Sequence, residues 1–304
     1  MSGALTAPAP LREPLSLRAW LDVLDDTLPR QVFGPEASRD VQQLATVSRA
    51  LLCLPSGLSL PESRLQRVMS ALLRHPLWED LLLTNAEWLH PALPSLHLWH
   101  RHWPGLPGAL RPVQRTLDAG LISRAEWTPM HLLDLSVHLH ALQADGLNLG
   151  RAPLPAPTEL ARASALGAGA PAWLWCYEKV SVLNYLLRAA RSGGLGVPDW
   201  AAGVTAANLV HALRALGAAD QPDREGALRA VSEHALAHAL SGAPSADLLA
   251  RALQAAAQAR TEMPEAQDRW VWPVVAANLG TAAQWTGAQR TGALWTPDFS
   301  RRNE

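Results

Sequence analysis

The sequence predicts an all-α protein, an irregular α/α bundle or helical-hairpin array of roughly a dozen helices with no sheet. Three observations predict it. Leu and Ala dominate an apolar content of 48%, while strand formers are scarce, with one Ile (Ile122), two Phe and two Tyr in 304 residues. Apolar residues recur at helical spacing through most of the chain. Pro, Ser, Thr, Asp and Gly punctuate it where helices start and stop. No fixed sequence period is visible, so a standard repeat array is not expected.

In chain order, residues 1–14 are Pro/Ala-rich and are expected to be a flexible N-terminus. Ser16 is placed to cap a helix ending near Leu28, before Pro29. A second helix follows Pro35 and reaches about Leu54. Ser59 and Glu62 have capping-box spacing and open a helix to about Arg74. Pro76 starts the next, which is expected to stop before Pro91, and short helices follow at about 94–102 and 108–119. The most apolar helix begins at Thr128-Pro129, with Thr128 as N-cap and Pro129 at the first helical position. Residues 146–171 change to Gly, Pro and Ala, a connection with one short helix inside it. Helices resume at about 172–191, 199–216, 223–240, 245–260 and 265–284, with Gly193-Gly194, Gly217 and Gly242 where C-cap glycines belong. The expected organisation is an N-terminal helical half (15–145), the connection (146–171), a C-terminal half (172–286) and a tail (287–304).

A net charge of −1, with Lys179 the one lysine, gives no general attraction to nucleic acid or to an anionic membrane. The segment HLWHRHWPG (97–105) is rich in Trp and His, but most of the thirteen Trp are expected to fill the core. No basic-then-apolar leader is visible and no apolar run approaches the ~18 residues of a membrane span. A cytoplasmic bacterial protein is therefore expected. Cys53 and Cys176 lie far apart in apolar contexts and are expected as buried thiols.

Three constellations carry candidate chemistry. On the helix from Thr128, His131, Asp134 and His138 fall at i, i+3 and i+7, where the carboxylate can orient an imidazole as a general base. On the 172–191 helix, Tyr177, Ser181, Asn184 and Arg188 form a polar stripe suited to an anionic or amide-bearing ligand. His234 and His238 have the HxxxH spacing of a metal pair, but HExxH is absent and a third ligand, such as His211 or a first-half residue, would be needed, so a solvated face, or one histidine packed in the core, is the better expectation. Asp22, Asp25 and Asp26 do not have DDxxD spacing. Without a phosphate loop, GxGxxG, GxSxG or CxxC, no cofactor is expected and no metal is assigned.

Two segments resemble an all-helical bacterial family of unknown function: Thr128-Pro129 followed by Leu133-Asp134-Leu135, and a later helix of the form Tyr-x-x-Thr-His-x-x-x-Tyr. Tyr177 and Tyr185 keep that separation, while Val180-Ser181 stand where the family has Thr-His. The resemblance implies no known reaction. It implies that the 128–142 and 172–191 helices share one site.

The expected function is a non-catalytic ligand- or peptide-binding accessory protein, with a cleft between the halves lined by His131, Asp134, His138, Tyr177, Ser181, Asn184 and Arg188. The alternatives are an enzyme using His131 or His138 as a base aligned by Asp134, and a protein–protein scaffold. The expected partners are a small molecule, a peptide or a partner protein.

Overall fold

The computed structural model describes residues 17–29, 37–55, 58, 60, 63–103, 105, 108–124, 127–150, 154–164, 166–167, 180–218, 221–263 and 265–290. Among them the chain forms thirteen α-helices and no strand. The first seven are α1 (Leu17–Thr27), α2 (Ala37–Leu52), α3 (Arg64–Leu73), α4 (Pro76–Thr84), α5 (Leu89–His102), α6 (Arg111–Asp118) and α7 (Pro129–Gln143). The remaining six are α8 (Pro157–Ala163), α9 (Val180–Ser192), α10 (Ala201–Leu216), α11 (Arg224–Leu240), α12 (Ala246–Glu262) and α13 (Val271–Arg290). None is long and apolar enough to cross a membrane.

The predicted punctuation holds at most boundaries. Thr128 caps α7 by accepting from the His131 N–H at 3.2 Å, with Pro129 at the first position. Ser245 and Asp223 cap α12 and α11 in the same way. Gly242 turns the chain after α11 at φ +93°, a conformation that favours a residue without Cβ. Three helices differ. The last, expected at about 265–284, begins at Val271 and runs to Arg290, into the expected tail. The helix after Pro61 begins later than the Ser59–Glu62 spacing implies: Ser63 caps α3, and the Asp25 carboxylate accepts from the N–H groups of Arg64 and Leu65. Ser59 and Glu62 themselves lie outside the described residues. The helix expected to run from Pro76 to His90 instead breaks at Asn85, whose side chain accepts from Glu87 N–H and starts a 3-10 turn. A new helix, α5, then passes through Pro91 and Pro94. Pro91 stops nothing, because it sits in the first turn of α5, where N–H groups have no helical acceptor.

The principal core joins Trp20 and Leu44 to Trp270 and Leu279, so it draws on both sides of the 146–171 connection. Helix α13 packs against α1, α2 and α11, while α5 lies between α2 and α7. A smaller apolar cluster, with Leu133, Val137, Leu183 and Leu187, joins α7 to α9. Cys53 is buried in the core as a free thiol. Cys176 lies outside the described residues.

Several polar side chains close helix ends inside this core. Arg101 donates to the carbonyls of Leu52 and Leu54, finishing α2, and Arg191 donates to Leu240 O, finishing α11. Trp indoles follow the expectation in part. Trp127, Trp272 and Trp285 donate to backbone carbonyls, while the buried Nε1 atoms of Trp20, Trp78, Trp99 and Trp103 meet no acceptor among the described residues.

Candidate functional site

Four helices, α2, α5, α7 and α9, place a cluster of ionisable side chains against one another inside the apolar body. At its centre is Asp134, 1% exposed. Arg49 of α2 crosses to it, with Nε at 3.2 Å and Nη2 at 2.9 Å from Asp134 Oδ2. Arg49 also donates to His90 O at 2.7 Å and lies 5.2 Å from the centre of the Tyr185 ring. Its guanidinium is therefore satisfied by a carboxylate, a carbonyl and an aromatic face at once. Burial alone would lower the Arg49 pKa, but Asp134 and Tyr185 outweigh it and raise it. Burial alone would raise the Asp134 pKa, but Arg49 and His138 hold it well below the usual carboxylate range. The pair is ionised.

The histidines divide into a closed side and an open side. On the closed side, His138 Nε2 sits 3.2 Å from Asp134 Oδ1, and its Nδ1 meets His97 Nδ1 at 2.9 Å. The first contact is short but poorly aligned, leaving Nε2 without a hydrogen bond of good geometry. A proton on His138 Nε2, facing the carboxylate, makes His138 Nδ1 the acceptor and His97 Nδ1–H the donor. Burial, then His138 and Arg101, push the His97 pKa well below its ordinary value.

On the open side, the His90 and His131 rings lie tilted against each other with centres 4.3 Å apart, and Tyr185 stacks on His90 at 5.5 Å and meets His131 edge-on at 6.1 Å. The Tyr185 hydroxyl hydrogen-bonds to His90 Nε2. Arg49 Nη2 lies 3.2 Å from the same nitrogen; a guanidinium only donates, so Nε2 accepts and the His90 proton sits on Nδ1. Burial and Arg49 lower the His90 pKa to about 3, and burial lowers that of His131. Burial and the Asp134 charge raise the Tyr185 pKa well above its ordinary value. All three rings are neutral at pH 7, and all three are partly exposed.

The sequence-predicted residues are distributed as follows. Asp134 and His138 face inward together, and His131, on the same strip, stands at the rim. Asn184 and Arg188 are buried on α9, but Asn184 turns toward α11, where Nδ2 donates to His234 Nδ1 at 2.9 Å. Arg188 Nε donates to Asn184 O at 3.3 Å. Tyr177 and the Ser181 side chain lie outside the described residues. The HxxxH pair separates. His238 Nε2 accepts from Ser245 N–H at 2.7 Å, so its Nδ1 carries the proton toward Thr205 Oγ1 at 3.0 Å, while His234 faces Asn184. His211, the suggested third ligand, is exposed. Among the described residues no group of three His, Cys, Asp or Glu is arranged to hold a metal ion.

Arg49, His90, His97 and Tyr185 were not among the predicted site residues. The available signals were Arg49 within an otherwise apolar turn of α2, and Tyr185 as the second tyrosine of the family resemblance.

Compared with known protein families, curated proteins and solved structures, the chain matches none of them.

Proposed function

We propose that the protein is a non-catalytic binding or accessory helical protein whose ligand-contacting surface is the rim of His90, His131 and Tyr185 above the Arg49–Asp134 pair. The observation that carries this reading is the division of the cluster into a closed floor and an open rim. Asp134, His138 and His97 are buried and turn toward one another and toward Arg49. At the rim, the His131 ring makes ring contacts but no hydrogen bond with any described residue. Three neutral rings over a compensated charge pair suit a planar or amide-bearing small molecule, or the backbone of a peptide.

A general-base role fits these positions less well. His138 is 1% exposed, with no room for a substrate against it. His90 is displaced to about 3, whereas a general base works best with a pKa near the working pH. The Tyr185 shift makes its phenolate harder to form.

The test is native mass spectrometry of the full chain purified from its own host, with His131→Ala and Tyr185→Phe alongside. The expected result is a retained mass on the wild type that both variants lose while melting normally. A wild type carrying no added mass, or an adduct that survives both substitutions, overturns the proposal.

A further inference from the structure

Helices α10, α11 and α12 enclose a second space that shares no residue with the Asp134 cluster. It is a cavity of about 310 Å³ that opens to solvent. It exists because α12 presents Ala255 and Ala259, one turn apart, toward Leu213 and Leu216 of α10, and alanine does not fill the gap. At the mouth, Glu262 is held through both oxygens: Arg224 Nη2 donates to Oε2 at 2.5 Å and Gln258 Nε2 donates to Oε1 at 2.8 Å. Arg224 spends one N–H on this bond, and its other N–H groups meet no acceptor among the described residues. The C-terminal end of α10 reaches the same cavity at Leu216, bringing the partial negative charge of a helix end.

We infer that this cavity binds a free α-amino acid with an aliphatic side chain. The ligand carboxylate takes the unused N–H groups of Arg224. Its ammonium faces Glu262 and the last carbonyls of α10. The hydrocarbon lies on Leu213, Leu216, Ala255 and Ala259. Arg224 and Glu262 pair with each other, so the mouth carries no net charge: a zwitterion keeps it balanced, whereas a simple acid or a simple amine brings an unbalanced charge to it. The volume lies at the small end of the roughly 300–1,000 Å³ range of ligand pockets, which fits a single small metabolite.

The probes are L-leucine, 4-methylpentanoate and 3-methylbutylamine, which share one hydrocarbon and differ only in their charged groups. Titration calorimetry on the full chain should show saturable binding of leucine at least tenfold tighter than of either analogue. Ala255→Phe, which fills the cavity, should abolish it. Arg224→Gln, at the exposed mouth, should weaken it tenfold or more without changing the melting temperature, and it carries the test if Ala255→Phe folds poorly. No binding of leucine, equal affinity for the three probes, or wild-type affinity in Arg224→Gln overturns the inference.

Discussion

Acid is expected to unfold this protein at a pH where ordinary carboxylates are still ionised. Four histidines, His90, His97, His234 and His238, sit in the fold as neutral rings, with burial the leading cause in each. The pKa of His90 falls to about 3, those of His234 and His238 to about 4, and that of His97 well below its ordinary value. In the unfolded chain each returns to about 6.5. A histidine whose folded pKa lies below its unfolded one contributes stability that is complete above pH 6.5. That stability drains away as pH falls toward the folded value. At pH 5, about 1.5 units below the unfolded pKa, the loss is ~2 kcal/mol for each ring at 1.36 kcal/mol per unit. Four rings lose ~8 kcal/mol together, comparable with the whole stability of ~5–15 kcal/mol of a typical domain. Asp134 contributes in the opposite sense and only in stronger acid, because Arg49 keeps its carboxylate ionised well below the ordinary range. Urea titrations followed by Trp fluorescence at pH 8, 7, 6.5 and 5 measure this directly. The midpoint should hold between pH 8 and 7 and fall steeply from 6.5 to 5. His238→Gln should remove ~2 kcal/mol of that dependence. Equal midpoints at pH 8 and pH 5 would refute the burial of these rings.

Three further outcomes follow from the packing. Asp134→Leu leaves the 8%-exposed Arg49 without its carboxylate and should cost ~3–5 kcal/mol, lowering the melting temperature by roughly 10 °C. The Arg49→Met/Asp134→Leu double variant should recover most of that loss, since neither charge is then stranded; a double variant no better than the single contradicts a buried pair. In a Cys176→Ser variant, Cys53, whose thiol burial pushes up to about 12, should resist Ellman's reagent in the native state and react at once in urea; fast native labelling would place it near solvent. Gly280→Ala should destabilise despite alanine's better helix propensity, because the new Cβ would meet the Trp20 Cβ at 2.9 Å where α13 crosses α1. The overpacking costs ~1–3 kcal/mol against a gain of about 1, and a variant more stable than wild type would mean that the helices do not approach so closely.

What was legible in the sequence was what depends on near neighbours in the chain. The spacing of leucines sets the helices, and local capping chemistry places the start of α7 to the residue. Pro91 misled because a proline in a first turn and a proline past a helix end look alike without the partner that breaks the preceding helix, here Asn85. The same limit applies to the site. Asp134 and His138 are one turn apart on α7, so their pairing is visible in the chain. The Arg49 partner is 85 residues away, and His90 is 95 residues from Tyr185. Those contacts depend on which faces of α2, α5 and α9 meet α7, and a core of interchangeable leucines does not encode that choice in any local pattern. A partial clue was present: Arg49 interrupts a run in which Val47, Ala50, Leu51 and Leu52 are all buried, and a charge in such a run requires a counter-charge inside the fold.

That degeneracy also gives the closed half of the cluster a task needing no ligand. Leucine-rich helix faces slide or rotate past one another at small cost, whereas the Arg49–Asp134 and His97–His138 contacts exist in one register only. If the polar floor selects that register, the double variant that replaces both charges should keep its melting temperature while its amide spectrum broadens, with faster hydrogen exchange concentrated in α2 and α7. A double variant with wild-type line widths and exchange would remove this task from the pair. His131 stands outside the explanation either way, because its ring hydrogen-bonds no described residue and fixes no register. A side chain that lies tilted against one ring and edge-on to another at the edge of a satisfied charge pair, while leaving its own polar atoms unspent, is the part of the cluster that packing does not account for, and it is there that binding should be sought.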